Sequence, residues 1–459
     1  MKIFILIIIA FSYIYALDMD IYSILGKIKT KNNPYMSIIE EKKTHGLNTL
    51  DETFASYKLK LAVDANLQTS VISSDLKETK TILTGGKLSA SKMQPSLWGA
   101  NGQLIYAFSQ DKSSASDIAT YSLSQEILWQ YSQPLTLGGA VKNHYALLIY
   151  PLQKKILLLN LLDEINQYYY QVLSMYLSLL REQQQIYIVN ENIKNMSTFN
   201  AISLQKYNQG NISSMEYNKT KLELNKLKLE QERYNLAKQI NNRYFQDKLG
   251  LEHSLTLNIN FSPLPEINPE ILTLDSIIDI RVKKLELEKI EYDIESIYGE
   301  QTPELSLSGQ FKRYNQATKY EDSLSYAKTD WAILSSFKYP FFDEGSTRQK
   351  AFNLKIQKTI LEQQLYLLQI YYETKIKDLT KRLELLQKNI GLYEENKKLA
   401  NEVYKVDQKR YIDGVISYYE MIQSLQNLNN IEIDYSNFLY DMELIKIDIL
   451  LLTGRLVNL

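Results

Sequence analysis

The sequence contains no cysteine. Disulfides, a thiol nucleophile and cysteine-ligated metals are therefore excluded, as is a lipid anchor on an N-terminal cysteine. Glycine and proline are scarce, 16 and 9 in 459 residues, which suits a mostly helical chain. Neither charge sign dominates: 52 Lys and Arg face 53 Asp and Glu. No like-charge block or basic stripe marks a nucleic-acid surface. The three histidines, His45, His144 and His253, are far apart and lack metal-ligand spacing. There is no glycine-rich phosphate loop either. These absences argue against an enzyme and imply no cofactor and no metal. Beyond the N-terminus no stretch reaches the roughly 18–20 apolar residues of a membrane helix. The best run, Ile156 to Leu162, is short and follows Lys154-Lys155. A β-barrel stays open, because barrel strands are short and individually weak in signal.

What is present begins with an export signal. Lys2 supplies the charged start and Ile3 to Phe11 a short apolar core, and Ala16 is the expected last residue removed. Residues 1–16 are thus read as a signal peptide. Tyrosine is abundant, at 35 residues, as expected where many positions are half wet or lie at a membrane interface.

The dominant feature is an internal duplication. Tyr207-x-x-Gly210-x-Ile212-Ser213-x-x-Glu216 recurs as Tyr411-x-x-Gly414-x-Ile416-Ser417-x-x-Glu420. Lys206 and Arg410 precede the tyrosines, and both copies lead to a second glycine, Gly250 and Gly454, at the same offset. Each copy reads as a turn between two long helices. Gly210 and Gly414 suit the left-handed position that ends a helix. Ser213 with Glu216, and Ser417 with Glu420, fit the capping box that starts the next one. Both glutamates thus have a purely structural explanation.

Two repeats follow, 17–250 and 251–459. In the first, a short helix over 17–31 precedes one opened by Asn33-Pro34 and running to about Leu67. Residues 68–94 read as an irregular connection. A strand pair lies at about 95–134, then a long helix from Gly139 to Tyr207, the turn 207–216 and a return helix. In the second, Pro263, Pro265 and Pro269 mark the junction, and a helix runs from about Ile271 to Tyr298. A strand pair at about 303–341 follows, then a long helix from Gly345, the turn 411–420 and a return helix. Each long helix, roughly 70 residues, would extend on the order of 100 Å. Leu222, Leu229 and Leu236 repeat at heptad spacing, and Leu227 with Tyr234 makes a second seam. Two seams on one helix require two helical neighbours. All three tryptophans, Trp98, Trp129 and Trp331, fall in the predicted strands, as an aromatic girdle would place them. A soluble β core would also explain them. Four strands cannot close a barrel alone, nor stay open in lipid. Three chains would supply twelve.

In order, duplication and spacing these elements resemble the TolC family of outer-membrane efflux channels. The signal peptide, the Asn33-Pro34 start, the strand pairs entered at Pro95 and Pro303, Pro340-Phe-Phe-Asp-x-Gly345 and the two Tyr-x-x-Gly-x-Ile-Ser turns carry the resemblance. It implies a mainly α chain with a small β part. Long helical hairpins would form a homotrimeric α-barrel tunnel under a twelve-stranded transmembrane barrel of four strands per chain. It implies an outer-membrane location extending into the periplasm. A periplasmic adaptor and an inner-membrane pump or type I secretion ATPase would be partners. Gly210, Asn211, Gly414 and Val415 would form the adaptor-docking turns. Glu420 would line the tunnel entrance, and Glu216 would pair with Tyr411 to hold it closed. Two positions depart from the best-known member's charged entrance: Gln423 is neutral and Ile416 replaces an arginine. The alternative is a periplasmic coiled-coil scaffold or adhesin stalk, which would not need the strand pairs.

Overall fold

A computed structural model describes residues 16–30, 33–53, 59–74, 77–94, 100–115, 118–252, 256–259, 262–265, 273–318, 322, 328–339 and 343–456. The expected signal region before Ala16 lies outside these residues, as do Pro95, Trp98, His253, Pro269 and Pro340. The backbone divides into two compact units, each drawing on both sequence repeats.

The first unit comprises Met1–Lys42, Leu159–Arg281 and Leu367–Leu459. It opens with β1 (Ala16–Met19), which pairs in parallel with β6 (Thr256–Ile259). Helix α1 (Ile21–Ile28) starts at a capping box between Asp20 and Ser23 and buries Ile21, Ile24, Leu25 and Ile28. This spacing is one helical face. Helix α2 (Pro34–Thr53) begins where expected. The Asn33 carboxamide oxygen accepts the Tyr35 and Met36 amides at 3.0 and 3.3 Å, and its nitrogen donates to the Tyr168 hydroxyl at 2.7 Å. One side chain thus caps a helix and ties it to the core. That core gathers Tyr168, Tyr169, Val172, Leu173 and Tyr176 of α3 (Leu137–Asn208) around Phe245 and Leu249 of α4 (Ser214–Leu249) and Ile447 of α7 (Tyr418–Leu452). The last long helix is α6 (Ser346–Ile412). By length and composition His144–Asn208, within α3, passes for a membrane span, which corrects the expectation that none would. Its Tyr168, Tyr169 and Tyr176 nevertheless pack into protein.

The second unit comprises Lys43–Leu158 and Val282–Tyr366. Its centre is one antiparallel meander of six strands in the order β2-β3-β4-β5-β7-β8. They are β2 (Lys60–Ser74), β3 (Lys77–Gln94), β4 (Ala100–Ala115), β5 (Ile118–Pro134), β7 (Glu304–Ala317) and β8 (Lys328–Lys338). Helix α5 (Ile278–Gly299) leads into β7. Two expectations are corrected here. The helix from Pro34 ends at Thr53 rather than near Leu67, and residues 60–94 form a hairpin rather than helix and irregular chain. Among the described residues the meander therefore has six strands where two pairs were expected. The cause is a conflict of signals. Lys, Leu and Ala in 60–67 favour helix by propensity. Leu61, Val63, Ala65 and Leu67 alternate with polar or small residues, however, and that period of two belongs to a strand.

Candidate functional site: the paired turns and the two-faced sheet

The turns lie in the first unit. Gly210 and Gly414 adopt φ of 76° and 77°, where a Cβ would be strained. Around each, the two amides past the helix end bond back into its last turn. Gly210 N donates to Tyr207 O at 2.9 Å and Asn211 N to Lys206 O at 2.9 Å. Gly414 N donates to Tyr411 O at 3.1 Å and Val415 N to Arg410 O at 2.8 Å. These are Schellman ends. Both capping boxes are formed. The Ser213 hydroxyl accepts the Glu216 amide at 3.2 Å while Glu216 accepts the Ser213 amide at 3.3 Å. The corresponding distances are 3.3 and 2.7 Å for Ser417 and Glu420, and the Ser417 hydroxyl also donates to Glu420 at 2.9 Å. The Ser417 backbone N–H, then its hydroxyl, hold the Glu420 carboxyl below its ordinary range.

The copies differ in burial. Tyr207 is 41% exposed, whereas Tyr411 is 4% exposed. Tyr411 packs against Phe199 at 4.6 Å between ring centroids, and its hydroxyl lies 3.4 Å from the Ser203 hydroxyl. Burial pushes its pKa up. Lys206 of the first turn donates to the Tyr411 carbonyl at 2.6 Å and sits 4.3 Å from the centre of its ring. Tyr418 joins the same core, stacked on Phe199 at 5.5 Å, and burial raises its pKa to about 12. The first and second hairpins are thus bound together through Phe199, Ser203, Lys206 and Tyr411. Lys206 had been visible only as the basic residue preceding a repeated tyrosine. That it reaches across to the other copy requires tertiary contact to see.

The structure brings Glu420, Ile416 and Gln423 together on one open groove, which Asp407 and Arg410 also line. Ile416 is partly buried against the Met196–Tyr411 core. Glu216 is engaged by Ser213 on the first hairpin. Asn211 and Val415 are exposed at the apices.

In the second unit, the register places one set of side chains on each face of the sheet. Leu61, Ala90, Leu104, Trp129, Phe311 and Trp331 form a row across all six strands. The row two residues along holds Val63, Leu88, Tyr106, Ile127, Arg313 and Thr329. Leu61, Val63, Leu104, Trp129, Phe311 and Trp331 are all exposed. Trp129 stacks on Tyr131, which lies on the same face. The opposite face carries Lys60, Asp64, Gln103, Gln130 and Gln310. It also holds a Lys312–Glu126 ion pair at 2.8 Å and a Ser306–Ser336 hydrogen bond at 2.6 Å. Of the tryptophans, Trp129 and Trp331 share the apolar row.

The chain thus combines long capped helical hairpins with a wide meander that is apolar and exposed on one face. Residues 272–455 match the family model described as outer membrane efflux protein. The fold is similar over nearly the whole chain to solved outer-membrane proteins. For VceC of Vibrio cholerae the TM-score is 0.73 at 12% identity, covering 95% of this chain and 96% of that one. For the CmeC channel of Campylobacter jejuni it is 0.68 at 13%, covering 95% and 85%. For the MtrE channel of Neisseria gonorrhoeae it is 0.60 at 11%, covering 95% and 88%. No curated protein matches the sequence. The resemblance to the TolC family read from the repeated turns therefore stands, carried by sequence over 272–455 and by fold over nearly the whole chain.

Proposed function

We propose that this chain is the outer-membrane exit duct of a tripartite efflux or type I secretion system, a passive channel for small molecules or proteins without catalytic chemistry. The observation that carries this reading is the exposed apolar face of the sheet. A contiguous surface with leucines, tryptophans and phenylalanine over six strands is far beyond what a soluble monomer leaves in water. Apolar outward and polar inward alternation is the pattern of a barrel strand in lipid. A scaffold or adhesin stalk has no use for it.

The duct works as a homotrimer. The heptad leucines Leu222, Leu229 and Leu236 on α4, with Met215 one heptad earlier, are all exposed in the single chain. So are Leu385, Leu392, Leu399 and Val406 at the same spacing on α6. Each is a seam without an occupant, and neighbouring copies supply it. In this reading Trp129 and Trp331, with Trp98, anchor the barrel at the membrane interface. The apices at Gly210, Asn211, Gly414 and Val415 meet a periplasmic adaptor linked to an inner-membrane pump. Tyr411 and Ile416 keep the entrance closed with Glu216 as partner. Glu420, repeated in three copies, favours cations there, and Gln423 on the same groove is neutral.

The test is conductance in a planar bilayer after detergent extraction. A trimer forming cation-selective channels is expected, with selectivity reduced in Glu420→Ala. Release from membranes by carbonate, with no conductance, would rule the duct out.

A further inference from the structure

We propose that the β2–β3 hairpin is part of the barrel wall, so that β8 of one copy pairs with β2 of the next and three copies close an eighteen-stranded barrel. The inference rests on the trimeric duct reading and fixes what that reading leaves open, the seam and the width. A four-strand contribution would require β4 to be an edge that meets β8 of the neighbour. It is not an edge. β3 pairs with β4 from Thr79↔Ala115 to Gln94↔Ala100, along its whole length. The free edges of the meander are β2 and β8.

Three properties make these edges fit each other. Both are long enough: 15 and 11 residues, against the roughly 9–11 of a membrane-crossing strand. Their directions suit, because a meander of six strands leaves its first and last strands antiparallel. Three copies then give an even number, as an all-antiparallel barrel requires. Finally, the faces continue across the seam. Leu61, Val63 and Leu67 of β2 lie on the face that carries Trp331, Ile333 and Phe337 of β8, and these six are exposed. Lys60 and Asp64 lie on the face of Asp330 and Lys338. Only odd-with-odd pairing keeps the apolar face continuous. An apolar edge of this length left open would expose unpaired backbone groups to lipid or template aggregation. A second copy of the same chain satisfies both. Barrel diameter grows roughly linearly with strand number, so the pore is about 1.5-fold wider than a twelve-stranded one.

The natural absence of cysteine makes the test direct. Ala62→Cys on β2 is combined in turn with Asp330→Cys, Ala332→Cys, Leu334→Cys and Ser336→Cys on β8, all on the polar face. A parallel set replaces Ala62→Cys by Ala107→Cys on β4. Oligomers purified from membranes in detergent are sized by native mass spectrometry, oxidised and run on denaturing gels. Expected are trimers with inter-chain crosslinks in the β2–β8 set and none in the β4–β8 set. Trimers that crosslink through β4–β8, or through neither set, overturn the seam while leaving the duct intact. Monomers released without detergent overturn the duct reading and the seam with it.

Discussion

At the scale of single residues, the two turns share a sequence but not a role. Lys206 is the residue that makes the difference, because its ammonium both bonds the Tyr411 carbonyl and lies against the Tyr411 ring. A hydrogen bond from a charged donor is worth about 1.5–3 kcal/mol, and half-burial puts this one at the low end. Lys206→Met should therefore loosen the second hairpin against the first. The expected outcome is a higher open probability in single-channel recordings, with Lys206→Arg intermediate. Unchanged gating in Lys206→Met would show that the contact only packs. Glu420 gives a pH prediction. Its folded pKa lies below the ordinary value of 4.5, held there first by the Ser417 backbone N–H. A group depressed in this way stabilises the fold above its unfolded pKa, and that stabilisation is lost as pH falls through the folded pKa. Protection of the amides at residues 417–421, relative to their intrinsic exchange, should thus hold at neutral pH and fall only in acid, below about 4.5. Glu420→Gln should remove that acid transition.

At the scale of elements, the buried pair Glu443–Lys446 on α7 shows how a connecting segment is held. The two side chains are 2% and 7% exposed and 2.7 Å apart. Glu443 accepts the Leu264 amide at 2.8 Å, and Lys446 donates to the Leu264 carbonyl at 3.4 Å. Removing one partner strands the other charge, at a cost of about 3–5 kcal/mol. Lys446→Met should lower the denaturation midpoint accordingly, and the double variant Glu443→Leu/Lys446→Met should recover part of the loss. Nothing in the sequence pointed to this pair, since an i,i+3 Glu–Lys spacing usually marks a solvated face. The turns were legible because glycine, serine and glutamate encode their geometry within a few residues. The heptads of α4 were legible for the same reason. The β2–β3 hairpin was not. Its composition favours helix in 60–67, and Gly85-Gly86 in β3 suggests a break. What makes it sheet is pairing along the whole length of β2, β3 and β4, which no single segment encodes. Likewise Tyr411 was readable as a candidate, but Ser203, Phe199 and Lys206 become its neighbours only when the hairpins meet.

At the scale of the whole molecule, the exposed heptads make assembly a matter of register. α4 runs away from its turn and α6 runs toward its own, so the two seams are antiparallel when copies meet. In the proposed trimer this direction would set Met215 against Val406, Leu222 against Leu399, Leu229 against Leu392 and Leu236 against Leu385. These residues are exposed in the isolated chain. Burying them gives each side chain roughly 1.5–3 kcal/mol, multiplied over three interfaces, whereas a charge placed there must be desolvated without a partner. Leu229→Lys should therefore convert trimers to monomers in native mass spectrometry while leaving the helical circular dichroism of the chain unchanged. Leu392→Glu alone should do the same. Combined, the two place opposite charges face to face across the same interface, and partial recovery of the trimer is expected. If the double variant assembles no better than either single one, these two heptads are not each other's partners, and the antiparallel register between copies is wrong.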